Sequence, residues 1–127
     1  MTRVVVFGGS GFLGSYVADE LTIRGYEVVI ADINESRFIS EKQSFSLCNI
    51  MHEDQVRNEV KGAVAVYIFA GFSDIDQSLH LPRETMEQNV IGNINILQAC
   101  REMNVERFVY ASSAYAFSNK GSFYGNK

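Results

Sequence analysis

The segment GGSGFLG, residues 8–14, limits the possible folds of this 127-residue chain more than any other feature. It follows Arg3 to Phe7, an apolar, β-branched run without alternation, which is typical of a strand buried on both faces. It opens the segment Phe12 to Arg24, in which apolar residues recur at steps of four, as in an amphipathic helix. Gly25 then stands where a left-handed cap would end that helix. A strand, a glycine turn and a helix in this order predict the start of a parallel α/β sheet.

The rest of the chain continues to alternate short apolar runs with longer amphipathic ones. Further strands are predicted at Glu27–Ala31, Ser44–Cys48, Ala63–Ala70 and Arg107–Ser113, and further helices at His52–Lys61 and Pro82–Met103. Residues 35–41 fit either a short helix or a loop. The buried side of the long helix is predicted to consist of Met86, Val90, Ile94 and Leu97. Because parallel crossovers are right-handed, this order predicts one α/β domain with a doubly wound parallel sheet, strand order 3-2-1-4-5.

The composition excludes several classes of protein. An apolar fraction of 46%, a charged fraction of 20% and a single proline are typical of a compact folded domain. The longest apolar run is about half of the ~20 residues that a membrane-spanning helix needs, and glycines interrupt the N-terminus before a signal-peptide core could form. We therefore expect a cytoplasmic protein without a membrane partner. The net charge of -4, with no basic stretch, also argues against nucleic acid as a partner.

The cysteines and histidines do not form a recognisable metal-binding pattern. Cys48 and Cys100 lie far apart in hydrophobic or helical surroundings, without a Cys-x-x-Cys motif, and are predicted to be buried, reduced thiols. His52 and His80 are isolated in the sequence. No metal site is therefore expected.

The glycine segment satisfies two overlapping patterns for binding a dinucleotide. Gly8, Gly11 and Gly14 give G-x-x-G-x-x-G, and Gly9, Gly11 and Gly14 give G-x-G-x-x-G. In both patterns one glycine permits a tight turn, another lets the backbone approach a pyrophosphate, and a third lets the helix pack close to the sheet. The N-terminus of the helix supplies free N–H groups and positive potential for the same anion.

An acidic residue at the end of the second strand strengthens this interpretation. Asp32 follows the glycine segment by about twenty residues, the position from which a carboxylate accepts hydrogen bonds from both ribose hydroxyls. Since it also repels a 2′-phosphate, Asp32 favours NAD over NADP. Arg37 leaves NADP as an alternative, although five residues downstream is a poor position for it. The simpler alternative is a structural glycine turn followed by a surface aspartate.

Two other glycine motifs are excluded by single residues. A phosphate-binding P-loop requires a lysine after the last glycine of residues 9–14, but position 15 is a serine. A hydrolase nucleophile elbow through Ser10 requires a glycine at position 12, which is a phenylalanine.

Taken together, five features resemble the extended short-chain dehydrogenase/reductase family, in particular its nucleotide-sugar epimerases and dehydratases. They are GGSGFLG, Asp32, IFAG at the end of the fourth strand, NVIGNINIL in the long helix, and RFVYASSAYAF leading out of the fifth strand. The resemblance covers nearly the whole chain. It implies a Rossmann fold in which residues 1–127 are the NAD(P)-binding, N-terminal part of a longer enzyme and lack its C-terminal substrate lobe.

The resemblance also implies a set of cofactor-binding residues. They are Gly8, Gly11, Phe12 and Leu13 at the pyrophosphate, Asp32 at the adenosine ribose, Asn49 and Ile50 at the adenine, Phe69, Ala70 and Gly71 beneath the cofactor, and Asn89 from the long helix. The family usually has an aspartate in place of Asn49, but an asparagine can still meet the adenine amino group through its carbonyl oxygen. From the residues alone, Phe69 to Gly71 could equally end a buried strand, and Asn89 could face solvent.

For catalysis, the resemblance implies a serine after the fifth strand and a Tyr-x-x-x-Lys pair that act on a substrate hydroxyl. The tyrosine would be the general base while hydride passes to the nicotinamide, and the lysine would bind the nicotinamide ribose and lower the tyrosine pKa. Ser113 aligns with the serine, with Ser112 as the alternative, and Tyr124 aligns with the tyrosine. Lys127, however, stands at i+3, about 100° around a helix from the i+4 position.

Three explanations fit this spacing. In the first, the lysine is the next residue of a longer chain; in the second, the motif is shifted and degenerate; in the third, Tyr124 and Lys127 form an ordinary polar tail. We favour the first, because members of the family are usually much longer. Tyr110 and Tyr115 have no lysine at the required spacing and are predicted to be packing residues.

The sequence therefore predicts the NAD-binding domain of a nucleotide-sugar epimerase or dehydratase, whose full-length form acts on a nucleotide sugar. The alternative is a non-catalytic dinucleotide-binding sensor or interaction module. By resemblance, a homodimer would form through helices that include Pro82–Met103. In isolation the chain is expected to bind cofactor without converting a sugar nucleotide, and to self-associate or lose stability because a sheet edge and apolar surface would be exposed.

Overall fold

Five parallel strands form one sheet in the computed structural model, which describes residues 2–113. They are β1 (Arg3–Phe7), β2 (Glu27–Asp32), β3 (Gln43–Leu47), β4 (Ala65–Ile68) and β5 (Arg107–Tyr110). Their order across the sheet is β3-β2-β1-β4-β5, which confirms the predicted order. In the register of the sheet, Val5 of β1 pairs with Val29 of β2 on one side and with Val66 of β4 on the other. β4 and β5 are shorter than predicted.

The helices follow the predicted order with one interruption and one addition. They are α1 (Phe12–Ile23), α2 (Glu53–Val60), α3 (Ile75–His80), α4 (Pro82–Met86) and α5 (Gly92–Glu102), with a π-helical segment, Glu87–Ile91, between α4 and α5. The predicted long helix is therefore α4, the π segment and α5 in succession. α3 lies where no helix was predicted, and residues 35–41 adopt the loop alternative.

Alternate side chains of β1 point into two separate hydrophobic cores. Val4 and Val6 pack with residues of α1, whereas Val5 and Phe7 pack with residues of α2 and α5. All four side chains are buried. Helices therefore cover both faces of the sheet, and this confirms the doubly wound arrangement.

The predicted buried side of the long helix is wrong over most of its length. Met86, Val90 and Ile94 are exposed, and only Leu97 packs partly against the core. The buried side of α5 consists of Gly92, Asn93, Asn95, Ile96, Ala99 and Cys100. The reason is the π segment, in which the N–H of Gly92 donates to the carbonyl of Glu87, five residues earlier. Each π turn holds an extra residue, so a pattern counted in steps of four does not continue across it.

Gly25 ends α1 as predicted. Its φ is +89°, its N–H donates to Thr22 (3.0 Å), and the next N–H, of Tyr26, donates to Leu21 (3.1 Å). This is the Schellman arrangement, which satisfies the last carbonyls of the helix and turns the chain into β2.

The two cysteines are buried and free, as predicted. Burial, with a smaller contribution from the Glu59 carboxylate, raises the pKa of the Cys48 thiol to about 12, and burial raises the pKa of Cys100 to about 11. Both therefore stay protonated and unreactive near neutral pH. Among residues 2–113, no three His, Cys, Asp or Glu side chains are placed to hold a metal ion. Within the same range, every helix is too short or too polar to cross a bilayer.

Candidate functional site

The carboxyl ends of β1, β2, β4 and β5 meet at one edge of the sheet, because the strands are parallel. The strand order reverses between β1 and β4, which are neighbours in the sheet although β2 and β3 lie between them in sequence. In doubly wound folds such a reversal opens a crevice in which ligands bind. Most of the predicted site residues fall in the segments that leave these strands.

The glycine loop forms a tight turn between β1 and α1. The N–H of Gly8 donates to the carbonyl of Ala31 (2.9 Å), the residue before the end of β2, and the N–H of Gly11 donates to the Gly8 carbonyl (3.1 Å). Gly8 has a φ of +75°, which glycine adopts without strain. The turn is therefore fastened to the neighbouring strand on one side and closed on itself on the other.

Close packing explains why three positions of the loop are glycine. A Cβ on Gly8 would lie 2.6 Å from backbone atoms of Phe69 and Ala70, and one on Gly9 would lie 2.8 Å from the Ile30 side chain. A Cβ on Gly14 would collide with the Gly8 carbonyl oxygen. The loop is thus pressed against β2, the end of β4 and the first turn of α1.

Within residues 2–113, no side chain caps the first turn of α1. Gly11 is the N-cap and provides no side chain to accept from the N–H groups of the turn, and no acidic residue lies in that turn. Phe12 and Leu13 are exposed. The orphan N–H groups and the positive end of the helix dipole therefore remain available to an anion, the arrangement that binds phosphate groups in other proteins.

The Asp32 carboxylate lies against the glycine loop and is held by backbone groups. Its Oδ2 accepts from the N–H of Ser10 (3.1 Å), and its Oδ1 accepts from those of Ile33 (2.7 Å) and Asn34 (3.2 Å). The Ser10 hydroxyl donates in turn to the Asn34 carbonyl (2.6 Å). Asp32 is therefore fixed beside the open end of α1, unlike an aspartate free in solvent. Sequence reasoning did not assign this role to Ser10, which entered only as a rejected nucleophile.

Asn49 and Ile50 follow β3 in different surroundings. Asn49 Oδ1 accepts from the N–H of Met51 (2.9 Å), which leaves a second lone pair of the same oxygen for another donor. The Ile50 side chain is buried and packs where Gly92 has no side chain. Its carbonyl accepts from Asn95 Nδ2 (2.9 Å). Of the two, only Asn49 presents a polar side chain at this edge.

Phe69, Ala70 and Gly71 leave β4 beside the glycine loop. The N–H of Phe69 donates to the Phe7 carbonyl (2.8 Å), which extends the β1–β4 contact to the end of β1. Gly71 has a φ of +139°, and a Cβ there would collide with Asn89 Oδ1. The space beside Gly71 is therefore filled by a side chain from the π segment.

Asn89 points toward the segment after β4. Its Oδ1 accepts from the Phe72 N–H (2.7 Å), and its Nδ2 donates to the Phe72 carbonyl (2.9 Å). Both polar groups of this side chain are thus engaged by one backbone residue. Asn93, which the sequence did not single out, donates from Nδ2 to the Asn89 carbonyl (2.6 Å).

The predicted catalytic residues are only partly within residues 2–113. Ser112 and Ser113 follow β5 directly and are exposed at the same edge of the sheet. Tyr110 was predicted to be a packing residue, but it is about half exposed on β5. Tyr124, Lys127 and Tyr115 lie outside the described residues.

These features together define a dinucleotide-binding domain of the Rossmann type: a doubly wound sheet whose reversal point carries an uncapped helix N-terminus and a fixed carboxylate. Within that class, the sequence model of the NAD dependent epimerase/dehydratase family matches residues 4–125, and the chain belongs to this family. The resemblance seen in the sequence is confirmed.

Three proteins illustrate the similarity. UDP-glucose 4-epimerase of Klebsiella pneumoniae is 32% identical over 93% of this chain and 94% of that sequence. Vestitone reductase of Medicago sativa is 33% identical over 94% of this chain, but the match covers 40% of that protein. A crystal structure of UDP-glucose 4-epimerase from Stenotrophomonas maltophila, with bound NAD and formylated UDP-arabinopyranose, is 26% identical, has a TM-score of 0.83 and is matched over 92% of this chain and 38% of that one. The chain therefore spans less than half of the latter two proteins.

Proposed function

We propose that this chain binds NAD and forms the cofactor-binding part of a nucleotide-sugar epimerase or dehydratase. The observation that carries the proposal is the Asp32 carboxylate, held by Ser10 N–H beside the uncapped N-terminus of α1. A carboxylate suited to accept from ribose hydroxyls, next to N–H groups suited to a pyrophosphate, supports this proposal. The membership in an NAD-dependent family supports the same cofactor.

Each part of the site has a separate role in holding the cofactor. The backbone of Gly8, Gly11, Phe12 and Leu13 receives the pyrophosphate. Asp32 accepts from the adenosine ribose and disfavours the extra phosphate of NADP by charge repulsion. Asn49 offers its side-chain oxygen to the adenine amino group, with Ile50 supporting that segment from the core. Phe69, Ala70, Gly71 and Asn89 shape the opposite wall. When bound, NAD supplies the hydride acceptor.

We assign the chemistry of the whole enzyme to Ser113, to Tyr124 and to a lysine that is either Lys127 or the residue after it. Ser113 follows β5 at the edge where the cofactor site lies, so its hydroxyl can orient a substrate oxygen there. Tyr124 would take the proton of the substrate hydroxyl, and a lysine near it would keep the phenolate form accessible. Lys127 is the candidate within this sequence, at i+3 from Tyr124, and the position after it is i+4.

The class of substrate is inferred from relatives. The Stenotrophomonas epimerase was solved with a UDP-sugar, and the Klebsiella relative is a UDP-glucose 4-epimerase. The match to vestitone reductase has a similar identity, so the matched part does not by itself distinguish these substrates. We infer that the enzyme acts in the cytoplasm, where the buried Cys48 and Cys100 thiols would stay reduced.

The test of cofactor binding is calorimetric titration of the chain with NAD and NADP. The unchanged chain is expected to bind NAD more tightly. Asp32→Ala removes acceptors of charge-assisted hydrogen bonds and should weaken NAD binding roughly 10- to 100-fold while narrowing the margin over NADP. Glu35→Ala is the matched control, because it removes an exposed charge three residues away.

Two results would contradict the proposal: no binding of NAD by the unchanged chain, or an Asp32→Ala affinity and preference equal to those of Glu35→Ala. Conversion of a UDP-sugar to its epimer or to a dehydrated keto sugar, without net consumption of NAD, by the protein as its cell makes it would exclude the alternative, a non-catalytic dinucleotide-binding module.

A further inference from the structure

Asn89 connects the long helix to the segment that leaves β4. Its side chain accepts from and donates to the backbone of Phe72, at 2.7 and 2.9 Å. These two bonds reproduce the pairing that one strand residue makes with another in a ladder, so they fix both the position and the orientation of Phe72. Gly71 is adapted to the same contact, because any Cβ there would strike Asn89 Oδ1.

The segment held by Asn89 is in direct contact with the glycine loop. Backbone atoms of Phe69 and Ala70 lie 2.6 Å from the position of a Cβ on Gly8, so the two backbones touch where Gly8 has no side chain. The N–H of Phe69 also donates to the Phe7 carbonyl (2.8 Å), immediately before Gly8. A displacement of residues 69–72 would therefore move the turn that begins the glycine loop.

Asn93 secures the other end of this chain of contacts. It lies one turn after Asn89 and donates from Nδ2 to the Asn89 carbonyl (2.6 Å) in the region where the π segment departs from regular helical bonding. Asn93 is 7% exposed, and its Oδ1 has no hydrogen-bond partner in the described part of the chain. A buried acceptor without a donor lowers stability. The unpaired Oδ1 therefore indicates that the hydrogen bond from Asn93 Nδ2 to Asn89 has a function.

We propose that Asn89, held by Asn93, is a positioning residue for the cofactor loop. It sets residues 69–72, and these residues in turn support Gly8 and the start of the loop. The ligand in this inference, NAD, rests on the proposed function. The contacts that join the π segment to the loop through residues 69–72 do not depend on that proposal. On this view Asn89 acts on the cofactor through the backbone of the segment after β4, with both of its polar groups already engaged.

Asn89→Ala is the first variant. We expect it to weaken NAD binding roughly tenfold at a temperature where the protein is fully folded. Val60→Ala is the control for stability, because Val60 is fully buried at the end of α2. The carbonyl of the next residue, Lys61, accepts from Arg3 at the start of β1, whereas the glycine loop follows the other end of that strand. That variant should lower the melting temperature but leave NAD affinity within about twofold. Equal NAD affinity in the unchanged chain and in Asn89→Ala would reduce Asn89 to a structural role and overturn the proposal.

A matched pair of variants tests Asn93. In a helix a threonine hydroxyl can donate to the carbonyl four residues earlier, whereas valine has the same shape without the donor. Asn93→Thr is therefore expected to preserve NAD affinity and raise the melting temperature, since the unpaired Oδ1 is removed. Asn93→Val is expected to weaken NAD binding. The same NAD affinity for both variants would show that Asn93 does not secure Asn89.

Amide hydrogen exchange separates this inference from the proposed function. If the unchanged chain does not bind NAD, the proposed function fails, but exchange still reports on the contact. Asn89→Ala should speed exchange at Phe72 and also at Gly8 and Gly11 in the loop, relative to Val60→Ala. Faster exchange at Phe72 alone would show that the segment after β4 does not support the loop.

Discussion

β1 and β5 belong to the same parallel sheet but have opposite environments. Val5, Val6 and Phe7 of β1 have no exposed surface, whereas Phe108 and Tyr110 of β5 are about half exposed. Both strands are similarly apolar, so the difference lies in what packs against them. The segment proposed to bind the pyrophosphate therefore leaves a fully buried strand, whereas the strand that leads to Ser113 is about half exposed.

The largest test of this comparison is the removal of one aromatic ring from each strand. Phe7→Ala should lower the free energy of unfolding by about 3–5 kcal/mol, because it empties a filled core. Phe108→Ala, on a half-exposed residue, should cost less than about 1.5 kcal/mol. Urea unfolding monitored by circular dichroism measures both. Equal losses would mean that β5 is as well packed as β1.

The pH dependence of the free energy of unfolding tests whether the two cysteine thiols are buried and neutral. Cys48 and Cys100 have folded-state pKa values raised to about 12 and about 11. As the pH rises, the thiols of the unfolded chain therefore lose their protons before those of the folded chain. The part of the free energy of unfolding that depends on neutral thiols is present below pH ~8.5 and is lost as the pH rises toward the folded-state pKa values. Each thiol can contribute up to about 1.4 kcal/mol per pH unit in that window. Unfolding of Cys48→Ala/Cys100→Ala from pH 8 to 11 should give a flatter curve, and an unchanged slope would count against buried neutral thiols.

Two glycine substitutions, one in the glycine loop and one elsewhere, test whether the geometry of the loop controls NAD binding. Gly14→Ala places a methyl group against the Gly8 carbonyl and should cost about 1–3 kcal/mol while abolishing tight NAD binding. A Cβ at Gly62 would have no atom of the described residues within 4 Å, but the φ there is +79°, so Gly62→Ala should cost about 1 kcal/mol and leave NAD binding intact. Loss of NAD binding in both variants would mean that general stability, rather than loop geometry, controls the site.

The smallest expected effect concerns association. Phe108→Lys and Tyr110→Lys together should reduce self-association of the chain, because they charge the exposed strand. Sedimentation velocity across a range of concentrations measures this, with Phe12→Lys as a control on a more exposed aromatic residue away from β5. Association that falls only in the Phe12 variant would place the contact surface at α1.

The sequence was informative where local chemistry decides structure. β-branched runs predicted the strands, Gly25 predicted the end of α1, and the spacing from the glycine loop to Asp32 indicated the candidate site. The helix α3 could have been found from Asp74, whose side chain accepts from the Gln77 N–H, an ordinary N-cap. That signal is short and was masked by the polar surroundings.

The remaining features depend on contacts between distant parts of the chain. The π segment shifts the buried face of the long helix, and no local pattern in residues 87–91 predicts this segment. The pairing of Asn89 with Phe72 spans 17 residues and depends on how the helix lies over the sheet. The hydrogen bond from Ser10 to Asn34 spans 24 residues and closes only when β1 and β2 pair.

The hydrogen bond from the Ser10 N–H to the Asp32 carboxylate has a kinetic consequence. In the proposed adenosine-binding region, the loop amide and the carboxylate are held by a hydrogen bond within the chain itself. Capture of the dinucleotide then needs no prior rearrangement of this region, and its entropic cost is reduced in advance. Association should therefore follow a single phase whose rate rises in proportion to ligand concentration, so that differences in affinity among variants of this region arise mainly from how long the ligand stays bound.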